Sequence, residues 1–174
     1  MTVAKQVYQA IELILSDVDG VLTDGTIVFN NEGIESKRFH IRDGLAIKLW
    51  ARAGGKFGVL TGRNSHIVNL RAAELGMDIV RQGVEHKLAA MKEILADLRL
   101  EPQQVCYIGD DLPDLGPMRL AGLAVTVPEA PAEVRGAAGY VTRLGGGQGA
   151  VRETIEIILK AQGRWDDLVQ KYDP

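Results

Sequence analysis

The sequence predicts an α/β fold: a parallel sheet with helices on both faces, folded as one domain. Two observations carry this. Short β-rich runs alternate with longer helical runs along nearly the whole chain, which is how parallel strands are joined. Several of the short runs are almost continuously apolar, as strands buried on both faces are. A chain of 174 residues with 46% hydrophobic and 25% charged residues has the make-up of a globular domain. At that size it buries enough surface to hold a core without staples, so we expect a single unit over 1–174.

The first strand candidate is Glu12–Ser16 (ELILS). The run TIVF, the turn signal Asn30-Asn31-Glu32-Gly33 and the run IESKRF follow, so a β-hairpin is inserted after the first strand, over 24–40. A helix over Asp43–Ala53 starts with Asp43 as a plausible cap and stops at Gly54-Gly55. Lys56–Leu60 is the second strand of the main sheet. Asn64–Leu75 is a helix that stops at Gly76, and Asp78–Arg81 is a short strand. Glu85–Leu98 carries Leu88, Met91, Leu95 and Leu98 at helical spacing. Gln104–Ile108 and Leu123–Thr126 complete the strands. The remaining helices are Asp114–Ala121, Ala132–Ala138 behind Pro131, and Gly149–Ala161. A tail follows from Gly163. The whole is a Rossmann-like sheet with an inserted hairpin.

Charge and cysteine content exclude several classes. Twenty Lys and Arg against 23 Asp and Glu give a net charge of −3, which does not suit nucleic acid or an anionic membrane. No apolar run approaches the ~20 residues of a spanning helix, and the N-terminal stretch lacks the pattern of a signal peptide. One cysteine, Cys106, cannot form an internal disulfide, so a reducing compartment, the cytoplasm, is expected. Cys106 lies inside a strand run and Trp50 on an apolar helix face, so both are expected in the core.

Parallel α/β sheets bind ligands at the carboxyl ends of their strands. After ELILS come Asp17 and Asp19, and after KFGVL come Thr61, Gly62 and Arg63. Lys87 lies early in the helix after the third strand, and Asp110, Asp111 and Asp114 follow QVCYI. Each acidic pair alone is also consistent with a polar turn or a helix start. Five carboxylates at one sheet edge repel one another unless a cation sits among them, and Mg²⁺ with oxygen ligands suits them. A hydroxyl, backbone N–H groups and an ammonium form an anion cradle beside it. Carboxylates with a metal next to an anion cradle describe a phosphoryl-transfer site.

DVDG, LTGR, Lys87 and GDDLPD, in this order at these elements, resemble the four motifs of the haloacid dehalogenase superfamily of phosphatases. DVDGVLTDG, FHIRDG, LTGR, GDDLPD, YVTR and GGGQGAVRE resemble more closely its capless 3-deoxy-D-manno-octulosonate 8-phosphate phosphatase family. The resemblance implies Asp17 as the nucleophile that forms an aspartyl-phosphate. It implies Asp19 as general acid and base whose backbone carbonyl also meets the metal, with Asp110 as a further Mg²⁺ ligand. Asp111 and Asp114 are expected to orient these ligands and Lys87, while Thr61 and Lys87 hold the transferring oxygens. Arg42, Asp43 and Gly44 match the family's substrate loop. Arg63 and Arg71 match its substrate-binding arginines, which suit a sugar-acid carboxylate. His40 is either a structural loop residue or a substrate contact, and Lys48 stands where relatives often carry arginine.

The resemblance also implies a homotetramer whose hairpins meet and cover a site that the short insert cannot close, with the tail as a further arm toward a neighbour. Two alternatives remain at this point. A nine-carbon keto-deoxy sugar acid phosphate is one, against which Arg63 argues. A non-catalytic regulatory domain of the same fold is the other, against which the intact Asp17 and Asp19 argue.

Overall fold

A computed structural model describes residues 3–173. In chain order it comprises α1 (Lys5–Gln9), β1 (Leu13–Ser16), β2 (Val28–Phe29), β3 (Glu35–Ser36), α2 (Ile41–Arg52), β4 (Lys56–Leu60) and α3 (His66–Leu75). There follow β5 (Ile79–Arg81), α4 (Lys87–Leu98), β6 (Val105–Ile108), α5 (Leu115–Leu120), β7 (Leu123–Thr126), α6 (Ala132–Ala137), β8 (Tyr140–Val141), α7 (Ala150–Ala161) and α8 (Trp165–Gln170). Six strands form one sheet in the order β5-β4-β1-β6-β7-β8, every neighbouring pair parallel. β2 and β3 form a separate antiparallel hairpin.

Burial explains the apolar runs. β1, β6 and β7 are buried at every residue, and successive side chains enter opposite cores. Ile14, Phe57, Cys106 and Ile108 join Trp50, Ile155 and Leu159 on the face covered by α2 and α7. Leu13, Leu15, Val105 and Tyr107 join Met91, Met118 and Val134 on the face covered by α4, α5 and α6. Cys106 and Trp50 are thus core residues, and the Trp50 indole N–H donates to the Lys56 carbonyl at 2.8 Å.

Three expectations are corrected. Asp43 is no cap: α2 starts two residues earlier with His40 at its N-cap, and the buried Asp43 carboxylate accepts the Arg152 N–H of α7 at 2.7 Å. The hairpin runs of four and six residues form only two residue pairs, Val28 with Ser36 and Phe29 with Glu35. The segment expected as one helix from Asp114 begins as a 3₁₀ turn, Leu112–Asp114, before α5. The tail packs on its own chain, where α8 buries Leu168 and seats Trp165 against Arg152 and Lys160, with Tyr172 accepting a hydrogen bond from Arg52. Elements α1 and β8 were not foreseen, being five and two residues long and too short for a periodic signal.

Candidate active site

The carboxyl ends of β1, β4 and β6 open on a cleft of about 620 Å³ lined by Asp17, Asp19, Thr61, Arg63, Lys87, Asp110 and Asp111 among others. Asp17 directly follows the last residue of β1, and Thr61 the last of β4. The Asp17 carboxylate has a partner on each oxygen: the Val18 N–H at 2.7 Å and the Lys87 ammonium at 2.7 Å. Those two contacts fix its rotation about the Cβ–Cγ bond.

Lys87 is almost fully buried and spans Asp17 and Asp114, the latter at 2.8 Å. Burial alone would push its pKa down, but the Asp17 and Asp114 charges outweigh burial and hold the ammonium above its usual value. Asp114 is fully buried and saturated: one oxygen accepts from Lys87 and the Tyr107 hydroxyl, the other from the Asp110 and Asp111 N–H groups at 3.1 and 3.2 Å. Asp111 does something else. Its carboxylate accepts the Leu112 N–H at 2.8 Å at an exposed position, capping the 3₁₀ turn, and makes no contact with Lys87.

Asp17, Asp110 and Asp114 bring ligand oxygens within 4.8 Å of one another. Burial, then the Asp114 charge, push Asp17 up to about 6, and burial, then Asp17, push Asp110 up to about 7. One oxygen of Asp110 is buried without a partner. Hard carboxylate oxygens, mutual repulsion and an unpartnered buried acceptor fit a divalent cation. Each Asp114 oxygen already accepts two hydrogen bonds, whereas each Asp17 oxygen has one partner and one Asp110 oxygen none, so Asp17 and Asp110 keep the lone pairs best able to hold it. Gly20 belongs to the same construction. Its φ is +90°, and a Cβ there would stand 1.9 Å from an Asp110 oxygen.

The candidate substrate residues do not all converge. Arg63 reaches the cleft, with its guanidinium 3.6 Å from Asp19. Arg42 lines a groove against α7 with Arg143 and Arg152. Asp43 is interior and His40 half-buried, each with one buried polar atom lacking a partner. Gly44 provides a slot for Arg71, whose guanidinium bonds Glu74 at 2.7 Å and lies over the Phe39 ring. Lys48 is exposed on α2 near Glu74 and lowers its pKa after Arg71 does. Sequence reasoning missed Lys37 and Glu35. Lys37 bonds the Asp19 carboxylate, and Glu35 accepts from Arg63 at 2.6 Å. Their i, i+2 spacing was the available signal.

Strand-end aspartates, a buried lysine and an acidic loop at the sheet edge define a haloacid dehalogenase-like hydrolase, and that family matches residues 64–151. The 3-deoxy-D-manno-octulosonate 8-phosphate phosphatase of Yersinia pestis is 44% identical over 154 residues, covering 88% of this chain and 82% of the relative. That of Escherichia coli K12 is 42% identical over 157 residues, covering 90% and 84%. A crystal structure of the Moraxella catarrhalis phosphatase, in complex with magnesium, phosphate and a KDO molecule, superposes with a TM-score of 0.95 at 41% identity over 97% of both chains. The chain therefore belongs, among haloacid dehalogenase-like hydrolases, to the 3-deoxy-D-manno-octulosonate 8-phosphate phosphatase family.

Proposed function

We propose that this chain is a Mg²⁺-dependent phosphatase that hydrolyses 3-deoxy-D-manno-octulosonate 8-phosphate to the free sugar acid and phosphate, a step in lipopolysaccharide precursor synthesis. The observation that carries the reading is the Asp17–Lys87–Asp114 bridge at the floor of the cleft, beside an Asp110 oxygen without a partner. Family membership supports the substrate.

Asp17 attacks phosphorus in line, the bond from phosphorus to the sugar oxygen breaks, and Asp19 gives its proton to the leaving alkoxide. Asp19 then takes a proton from water, which releases phosphate from Asp17. Lys87 and Thr61 hold the transferring oxygens, Lys87 balancing their charge. Asp17, Asp110 and the Asp19 backbone carbonyl would hold Mg²⁺, which would supply charge neutralisation and alignment of the phosphoryl group. Asp114 anchors Lys87 from behind.

The working unit is one domain over 1–174, assembled as a homotetramer in the cytoplasm. Ile27, Val28, Phe29 and Ile34 of the hairpin are exposed, and burying such a face between copies removes it from water. Arg42, Lys48 and Arg71 stand outside the cleft of their own chain, so a neighbour's copies complete the sugar-acid pocket. The experiment is phosphate release from a panel of sugar phosphates with and without Mg²⁺. Selective, Mg²⁺-dependent turnover of the eight-carbon substrate is expected. Preference for a nine-carbon keto-deoxy sugar acid phosphate would overturn the substrate assignment, and no turnover of any member would overturn the enzymatic one.

A further inference from the structure

Four charged side chains close a ring beside the cleft, two of them, Asp19 and Arg63, lining it. Lys37 bonds one oxygen of Asp19 and lies 3.5 Å from Glu35. Glu35 accepts from the Arg63 guanidinium at 2.6 Å, and that guanidinium returns to the other Asp19 oxygen at 3.6 Å. Charges alternate around the ring and sum to zero. Glu35 has a further anchor, since its second oxygen accepts the Ser65 hydroxyl at 2.8 Å.

Two members come from the strand-end loops and two from the hairpin. Glu35 and Lys37 are two residues apart, so an extended strand carries both on one face. That face lies against the site, while Ile34 and Arg38 stay exposed. The Lys37 side chain is only 2% exposed, which distinguishes it from the solvated surface pairs that contribute little. It does not line the cleft. Its ammonium therefore supports Asp19 from behind rather than meeting a ligand. Asp19 is also absent from the carboxylate cluster that would hold a cation, so the ring is what fixes its side chain.

We infer that Lys37 and Glu35 are positioning residues, Lys37 aiming the Asp19 carboxylate and Glu35 aiming the Arg63 guanidinium at the bound sugar acid. The hairpin is thereby part of the reaction machinery of its own chain and not only a contact surface. This rests on the proposed roles of Asp19 and Arg63, and the test separates the two.

Turnover is measured with the sugar-acid phosphate, whose alkoxide needs a proton, and with p-nitrophenyl phosphate, whose leaving group does not. Lys37→Met should lower kcat about 10- to 100-fold on the sugar-acid phosphate, the scale of a misplaced catalytic group, and less than about threefold on the aryl phosphate. Lys37→Arg should restore part of the loss. A loss equal on both substrates, as a purely structural role gives, or no loss at all, overturns the role of Lys37. Glu35→Gln, which keeps its size, should raise KM for the sugar-acid phosphate several-fold at unchanged kcat, with no change on the aryl phosphate. It is read independently should Lys37→Met not fold, and an unchanged KM overturns the role of Glu35. Asp19→Asn is the control. If its own loss is equal on both substrates, the proton-donor reading fails and the inference with it. If its loss depends on the leaving group while that of Lys37→Met does not, the inference alone fails.

Discussion

Asp17 combines two opposed requirements in one side chain. Burial disfavours its charge, yet the Lys87 ammonium at 2.7 Å keeps a cation against it. Asp17→Asn keeps size and shape and removes the attacking oxygen, so phosphate release should fall below about a thousandth of wild type while the thermal midpoint does not drop. Activity near wild type would refute the nucleophile assignment. Gly44 gives a different kind of test. A methyl there would lie 2.4 Å from an Arg71 nitrogen and 3.2 Å from Leu75, so Arg71 must move. Gly44→Ala should raise KM with little change in kcat, while the thermal midpoint changes little because the helix propensity gained offsets the displacement of a flexible side-chain end; unchanged KM would separate Arg71 from substrate binding. The strand-end carboxylates and Lys87 were legible in the sequence because each follows an apolar strand or opens a helix. Asp43 was not, because a carboxylate near a helix start looks the same whether it caps its own helix or the N–H of a distant one.

The turn Leu112–Asp114 with the start of α5 shows how much one residue organises an element. Asp114→Ala leaves the buried Lys87 ammonium with Asp17 as its one carboxylate and strands the Tyr107 hydroxyl and two backbone N–H groups. Urea unfolding should show a loss of about 3–5 kcal/mol. Asp111→Ala, which removes only an exposed cap, should cost about 1 kcal/mol. Similar losses for the two would contradict the distinction drawn between them. Hairpin and tail mark the limit of element-level reading. The Asn30 side chain tightens the hairpin turn by accepting the Glu32 and Ile34 N–H groups, a feature legible in Asn30-Asn31-Glu32-Gly33. How far the pairing runs was not, since inward Glu35 and Lys37 answer to the active-site charges and not to cross-strand partners. Nor was the docking of α8 legible: Trp165 is held by Arg152 and Lys160, which are charged in sequence and stacking partners in space.

At the scale of the molecule, the charge state of two buried carboxylates bears on the stability of the whole fold. Asp110 and Asp17 are raised to about 7 and about 6, above the unfolded value near ~4. Their stability contribution is therefore fully present below the unfolded value and is lost as pH rises through the folded one. Binding of Mg²⁺ requires the ionised forms and opposes that loss. The gain in thermal midpoint on saturating Mg²⁺ should be larger at pH 8 than at pH 5. Equal gains at both would detach these carboxylates from the metal. The exposed Phe29 offers the matching test of assembly. On the proposed hairpin-mediated tetramer, Phe29→Asp should split the assembly and raise KM together, read by light scattering and steady-state kinetics. A split without a change in KM would exclude a neighbour's residues from the pocket.

The position of β1 at the centre of the sheet has a temporal consequence. Its residues Leu13–Ser16 pair on one side with Lys56–Val59 and on the other with Val105–Ile108. A ribosome delivers the first flank long before the second. At ~5–20 residues per second, the stretch between them takes on the order of 2–10 s to emerge. For that interval the strand that leads into Asp17 leaves one edge of backbone N–H and C=O groups unpaired in the crowded surroundings of the nascent chain. The central strand is thus the first of the sheet to be made, yet it waits through that whole interval for its second flank, and the delay is where a chaperone has something to protect.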